Sequence, residues 1–226
     1  YHKNLFLTSL DADEHWFRYH ALFAESLRHL FAERHPDEAF QIYCRASEWC
    51  DANNLPEAAL NYATAAGDSD RIVLLLEKYA LSAIRHNRFF DILGIVRRTN
   101  EKILETSGLL SMIYSWGCVL SFDLDSGERW LINAGELMKN SAKSSNFKED
   151  REFIGGLITA CQSTLAAFRG EMNDAMELAA KALNVLPPEN DFAHSFALLN
   201  QGLGLSLNGE PNRAIEVLQE AIRAGR

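Results

Sequence analysis

The feature that most constrains the fold of this chain is a pair of similar segments near its C-terminus. Residues 170–176 read GEMNDAM and residues 209–215 read GEPNRAI, so the two initial glycines lie 39 residues apart. A repeat of this length is typical of tetratricopeptide-like proteins, in which each repeat is a hairpin of two packed helices. The sequence therefore predicts an array of helical hairpins.

The residue types at these positions agree with the geometry of such hairpins. Glycine readily takes up the left-handed conformation that ends a helix, so Gly170 and Gly209 are predicted to end the first helix of each hairpin. Five residues later each copy has an alanine, Ala175 or Ala214, whose small side chain lets the second helix pack closely against the first. Pro187 then prevents the second helix of the earlier copy from continuing.

Three weaker copies are predicted upstream, with turns that start at Asn54, Asn87 and Gly127. Only the first of them keeps an alanine five residues later, Ala59, and isoleucine stands at that position in the other two. The spacing between the turns supports these copies better than the residue types do. The predicted fold class is all-α, a tetratricopeptide-like helical-hairpin solenoid with a short N-terminal β-hairpin.

The β-hairpin is predicted from the first 20 residues. Residues 5–7 are apolar, residues 11–14 form a polar turn, and residues 15–19 are aromatic with partial alternation, which is the pattern of two short strands around a loop. From Leu22 the apolar residues recur every three or four positions, which indicates an amphipathic helix. Because two strands alone are marginally stable in water, we expect the rest of this domain upstream of Tyr1.

Several short motifs in the first 70 residues resemble one family in a consistent order. They are NLF at 4–6, LD at 10–11, Trp16, RYH at 18–20, LF at 22–23, RASEW at 45–49, LPEAA at 55–59 and AAGD at 65–68. This segment resembles the end of the winged-helix domain and the start of the helical arm in MalT-like ATP-dependent transcriptional activators. These regulators carry a C-terminal DNA-binding domain of the LuxR type.

The resemblance implies a domain organisation and a function. Residues 1–20 would be a remnant of the winged-helix domain, residues 21–106 the hairpins of the helical arm, and residues 107–226 the tetratricopeptide-like sensor repeats. The sensor would bind a small-molecule inducer or a protein partner on its concave face and relay that signal to an ATPase domain and a DNA-binding domain elsewhere in the protein. ATP would bind the full-length protein, and no cofactor is expected in this segment.

A second function class stays open, a stand-alone tetratricopeptide adaptor that binds a partner peptide. An enzyme is not expected, since the chain has no GxxxxGK[ST] phosphate loop, no HExxH and no GxSxG. Direct contact with nucleic acid is not expected either, because a net charge of −9 opposes binding to the phosphate backbone. Self-association is possible for a stack of repeats.

The remaining composition favours a cytoplasmic helical protein. The most apolar stretch, residues 109–124, is interrupted by serines, and we expect it to be a buried helix rather than a membrane span. The four cysteines form no CxxC pair and have no histidine at zinc spacing, so we expect reduced thiols and no metal site.

Candidate binding residues follow from aligning the repeats on their turn glycines. The first helices of the hairpins, predicted at about 107–122, 153–168 and 192–207, would line the concave face. Four side chains are predicted to point toward that face, and Asn200 takes the position where tetratricopeptides carry a peptide-binding asparagine. The candidates are Tyr114, Ser121, Thr164, Phe168 and Asn200. Packing between repeats would equally explain Tyr114 and Phe168, and a local hydrogen bond would explain Asn200.

Overall fold

The structure is a computed structural model that describes residues 7–9, 17–140, 148–188 and 190–224. The chain divides into two compact units, Tyr1–Arg71 and Ile72–Arg226. Apart from two short strands, the regular structure of the described residues is helical, and the predicted fold class is confirmed. The predicted domain boundaries, after residues 20 and 106, stay predictions.

The first unit begins with the predicted β-hairpin. Strand β1, Leu7–Ser9, pairs antiparallel with β2, Phe17–Tyr19, so that Leu7 lies opposite Tyr19. The predicted polar turn at 11–14 lies outside the described residues. Three helices and the start of a fourth follow, namely α1 Ala21–Arg34, α2 Pro36–Ala52, α3 Pro56–Ala66 and α4 Ser69–Arg85.

The second unit continues α4 and adds further helices. They are α5 Phe89–Val96, α6 Glu101–Leu104, α7 Gly108–Leu120, α8 Leu124–Asn140, α9 Lys148–Arg169, α10 Met172–Leu183, α11 Asp191–Leu207 and α12 Pro211–Ala224. The pairs α7–α8, α9–α10 and α11–α12 are packed hairpins, and their first helices stack in order, α7 on α9 and α9 on α11. The apolar stretch predicted to be a buried helix forms α7, and no helix in the described part is long and apolar enough to cross a bilayer.

Five turns between consecutive helices of the described residues pass through one residue in the left-handed conformation at the repeat positions. The residues are Asn54, Asn87, Phe122, Gly170 and Gly209, with φ angles of 57°, 56°, 61°, 82° and 79°. The predicted turns at Asn54, Asn87, Gly170 and Gly209 are therefore confirmed. The turn predicted to start at Gly127 is wrong, because the chain turns at Phe122 and α8 begins at Leu124.

Gly127 has a different role, which is to allow close helix packing. A Cβ atom at this position would lie 2.7 Å from Cγ2 of Val119, closer than two carbon atoms can approach. Gly127 lies five residues after Phe122, just as Ala175 lies five residues after Gly170. It is thus the small residue of its hairpin, and the third repeat matches the others once its turn is placed at Phe122.

Candidate ligand-binding cleft

Tyr114 lies on the wall of a cleft formed by α6, α7 and α8. The cleft has a volume of about 640 Å³, which is within the range of small-molecule sites. Its lining residues are Glu101, Glu105, Tyr114, Cys118, Asp123, Ser126, Arg129, Trp130 and Asn133. Helix α7 contributes Tyr114 and Cys118, which are four residues apart and therefore on the same face of the helix.

An aromatic pair forms one side of the cleft. The rings of Tyr114 and Trp130 have centroids 4.8 Å apart and are tilted by 55°. The Tyr114 hydroxyl donates a hydrogen bond to Oε1 of Glu101, at 3.1 Å. Burial raises the pKa of Tyr114, and the hydrogen bond to Glu101 and the charge of that carboxylate raise it further. The hydroxyl group therefore stays protonated at neutral pH and keeps its donor role.

Hydrogen bonds within the protein position the polar side chains of the cleft. Nδ2 of Asn133 donates to the backbone carbonyl of Glu105 at 3.2 Å and to Oγ of Ser111 at 2.9 Å. The Arg129 guanidinium donates to Oγ of Ser126 at 3.0 Å. These bonds restrict the rotamers of Asn133 and Arg129, so the cleft is in part organised before any ligand binds.

The charge of the cleft is negative, with three carboxylates and one guanidinium among its lining residues. The carboxylates belong to Glu101, Glu105 and Asp123, and the guanidinium belongs to Arg129. A concave surface with this balance attracts ligands that carry positive charge or donate hydrogen bonds, and it repels anions.

Two other predicted residues, Ser121 and Phe168, lie next to the turn residue Phe122. Ser121 ends α7, where its hydroxyl donates to the carbonyl of Gly117 at 2.9 Å and accepts a hydrogen bond from the Arg97 guanidinium. Phe168 stacks on Phe122 with ring centroids 4.8 Å apart. In the described part of the chain, neither Ser121 nor Phe168 lines the Tyr114 cleft.

The last two predicted residues are buried and bonded to each other. Thr164 is 0% exposed and Asn200 is 2% exposed. Nδ2 of Asn200 donates to Oγ1 of Thr164 at 3.1 Å and to Oγ of Ser163 at 2.9 Å, which joins α11 to α9. A ligand could reach these side chains only if the two helices separated. Ligand contact by Thr164 and Asn200 stays a prediction, and the cleft proposal does not include them.

The sequence reasoning missed most of the cleft. It considered only the first helix of each hairpin, whereas Trp130 and Asn133 lie on the second helix, α8, and Glu101 lies on the one-turn helix α6. The one available signal was the Trp130 side chain, because tryptophan is enriched at binding interfaces, where its ring is apolar and its N–H is polar. Within the described residues, no group of histidine, cysteine, aspartate and glutamate side chains could hold a metal ion.

The fold and the cleft together define a helical-hairpin repeat protein with a candidate site for a small molecule. Residues 1–39 match the family model of the MalT winged helix domain. The HTH-type transcriptional regulator MalT of Vibrio campbellii is 23% identical over 98% of this chain and 24% of its own length. The corresponding regulator of Cronobacter sakazakii is 24% identical over 96% of this chain and 23% of its own length.

A further relative is the serine/threonine-protein kinase PknK of Mycobacterium tuberculosis, 28% identical over 53% of this chain and 11% of its own length. Among solved structures, the crystal structure of MamA protein matches with a TM-score of 0.44 and 16% identity, over 83% of this chain and 92% of that chain. The resemblance indicated by the N-terminal motifs is confirmed, because the first 39 residues match the MalT winged helix model and nearly the whole chain is similar to MalT regulators. It spans about 24% of the length of the Vibrio campbellii regulator and about 11% of PknK.

Proposed function

We propose that this chain is the ligand-sensing segment of an ATP-dependent transcriptional activator of the LuxR type, and that the inducer binds in the Tyr114 cleft. The observation that carries the proposal is the cleft itself, an open polar and aromatic concavity on a segment similar to MalT regulators. Its volume of about 640 Å³ suits a small molecule better than a folded protein.

The proposed mechanism is a shift between two conformational states. An inducer that binds one state of the array more tightly increases the population of that state by its difference in affinity. The shift would be relayed to the ATPase domain and would allow DNA binding by a separate domain. In this proposal the segment is not an enzyme, acts in the cytoplasm and does not contact DNA, in agreement with its net charge of −9.

A screen of small metabolites by thermal shift and calorimetry tests the proposal. We expect a hit to bind the wild-type chain and to bind the Tyr114→Ala variant at least roughly tenfold more weakly, since the change removes both the ring and a hydrogen-bond donor. Phe168→Ala is the matched control, because it removes an aromatic side chain that does not line the cleft. A hit that binds Tyr114→Ala as tightly as wild type would contradict the proposed site.

One observation favours the adaptor alternative. Phe122 is 72% exposed and Phe168 is 38% exposed, and the two stacked rings form an apolar spot that a peptide side chain could cover. Peptide-library selection against the chain tests this function. The adaptor function predicts selected peptides that lose affinity with Phe168→Ala and keep it with Tyr114→Ala. Selected peptides that lose affinity with Tyr114→Ala and keep it with Phe168→Ala would instead favour the sensor function.

A further inference from the structure

The turn between α4 and α5 meets the start of α11, although Asn87 and Asp191 are 104 residues apart in the sequence. Nδ2 of Asn87 donates to Oδ2 of Asp191 at 2.7 Å. In return, the backbone N–H of Asp191 donates to Oδ1 of Asn87 at 3.1 Å. The Asn87 amide thus makes two hydrogen bonds to a single residue of the α11–α12 hairpin.

A second side-chain amide, that of the buried Asn190, joins the same two segments. Asn190 is 3% exposed, and its Nδ2 donates to the backbone carbonyl of Ile84 at 3.3 Å. Its Oδ1 accepts a hydrogen bond from the backbone N–H of Ala193 at 3.1 Å. Asn190 therefore caps the N-terminus of α11 and also satisfies a carbonyl group near the end of α4.

An aromatic cluster extends the contact toward α7. Phe89 of α5 and Phe192 of α11 stack with ring centroids 4.0 Å apart and an angle of 10° between their planes. Trp116 of α7 contacts Phe192 at 4.9 Å and Phe196 at 5.3 Å between centroids. Phe89 and Trp116 are buried, whereas Phe192 and Phe196 are half-buried.

We infer that residues 84–90 and 190–196 form a latch, a contact that closes the second unit across α7 and opens while the hairpins stay folded. Helix α11 is packed separately against α9, α10 and α12, so its place in the array does not depend on the latch. The Asn87–Asp191 bonds are exposed, and water can replace them when they break. Exposed polar contacts such as the Asn87–Asp191 pair open more readily than the buried contacts beneath them, and regulated motions occur in the less stable parts of a structure.

The latch goes beyond the proposed sensor function, since its opening requires no ligand. Opening would expose the Phe89 and Phe192 rings and would free the N-terminal end of α11 from α4. Any molecule that binds better to one of the two states would shift the equilibrium between them. The latch is therefore a point at which the conformation of the second unit can be regulated.

Hydrogen exchange measured by mass spectrometry on the ligand-free chain tests this inference. Two variants break the polar contact. Asp191→Ala removes the acceptor, and Asn87→Asp replaces the donor with a second carboxylate while keeping a residue type that tolerates the left-handed conformation. In both variants we expect amides in 84–93 and in 190–197 to exchange roughly tenfold faster, and amides in the centre of α9 to keep their wild-type rates.

Asp174→Ala is the matched control, because Asp174 is an acidic residue in the first turn of α10, as Asp191 is in α11, and it is exposed. It should leave exchange in both latch segments unchanged. The double variant Asn87→Asp/Asp191→Asn exchanges donor and acceptor across the contact, and we expect it to restore slow exchange. Faster exchange in 190–197 alone, faster exchange throughout residues 72–224, or no rescue by the double variant would overturn the inference.

Discussion

The Ser163 hydroxyl donates a hydrogen bond to the backbone carbonyl of Ala175 at 2.8 Å and so joins the two helices of the α9–α10 hairpin. The same bond joins Ser47 to Ala59 at 2.9 Å, and Ser115 to Gly127 at 2.6 Å. In each hairpin the serine lies seven residues before the left-handed turn residue, and the carbonyl belongs to the small residue five positions after it. A small side chain brings the two helices close enough for the hydroxyl to reach the carbonyl.

Replacing Ser163 with alanine should lower the free energy of unfolding by about 1–3 kcal/mol, because it removes a buried hydrogen bond and one of the two acceptors of Asn200 Nδ2. Thermal and urea unfolding monitored by circular dichroism would measure the loss. Ser206→Ala is the control, since Ser206 is an exposed serine of α11 and its replacement should change stability by less than about 0.5 kcal/mol. Equal effects of the two variants would contradict a role for the buried bond.

The sequence predicted the hairpins well because most of their turns depend on local conformational preferences. Glycine and asparagine adopt the left-handed conformation readily, and four of the five turns have one of these residues. Phe122 has no such preference, so the surrounding helices must impose its conformation. Sequence reasoning placed that turn at the next glycine along the chain, Gly127, and a glycine needed for packing was mistaken for a glycine needed for a turn.

The cleft was harder to predict because it depends on which helices lie side by side. The position of Tyr114 follows from the repeat alignment, but its contacts with Glu101 and Trp130 require α6 and α8 to pack around α7. For Thr164 and Asn200, the sequence did not reveal their burial. The repeat alignment predicted that they face the concave surface, and the structure shows that each is buried and bonded to the other.

Gly202 takes the position in α11 that serine holds in three other hairpins, seven residues before the turn at Gly209. A Cβ atom there would lie 2.7 Å from Cγ and Cδ2 of Leu218. We therefore expect Gly202→Ala to destabilise the chain by about 1–3 kcal/mol through overpacking, measured as a lower midpoint of urea unfolding.

The Gly155→Ala variant is the control, and we expect it to change stability in the opposite direction. Gly155 lies inside α9, and a Cβ atom at this position would have no neighbour within 4 Å. Gly155→Ala should therefore stabilise the chain by about 0.5–1 kcal/mol, because alanine loses less conformational entropy than glycine in a helix. A stabilising Gly202→Ala variant would show that Leu218 moves away without cost.

The pKa of Tyr114 should fall in the Glu101→Gln variant and stay above the ordinary tyrosine value. Burial is the largest cause of the raised pKa, and the substitution leaves it in place while it removes the carboxylate charge. An alkaline titration by ultraviolet difference spectroscopy, with Tyr114→Phe subtracted to isolate one tyrosine, measures the shift. An unchanged pKa would mean that Glu101 does not interact with the hydroxyl in solution.

Because the pKa of Tyr114 is raised in the folded state, the free energy of unfolding depends on pH in the alkaline range. The folded state holds the Tyr114 proton more tightly than the unfolded state, so the contribution to stability is complete below the ordinary tyrosine pKa of about 10. It is lost as the pH rises through the folded-state pKa. The free energy of unfolding should therefore fall less steeply with alkaline pH in Tyr114→Phe than in wild type, and equal slopes would contradict this prediction.

Cys118 offers a direct report on occupancy of the cleft, because it lines the cleft and is half-buried. Burial raises the pKa of Cys118, and the nearby Asp123 carboxylate raises it further, so its alkylation should be slow at neutral pH and faster under mildly alkaline conditions. A ligand in the Tyr114 cleft should slow alkylation of Cys118 by iodoacetamide, measured by peptide mass spectrometry. Cys44, half-buried in the first unit and with a pKa also raised by burial, is the control and should react at the same rate with and without ligand.

Cys161 is fully buried, and burial raises its pKa strongly, so it should stay unmodified in the folded protein. Alkylation of Cys161 as fast as that of Cys118 would mean that α7 and α9 separate readily. Equal protection of Cys44 and Cys118 by the ligand would mean that the ligand binds outside the cleft.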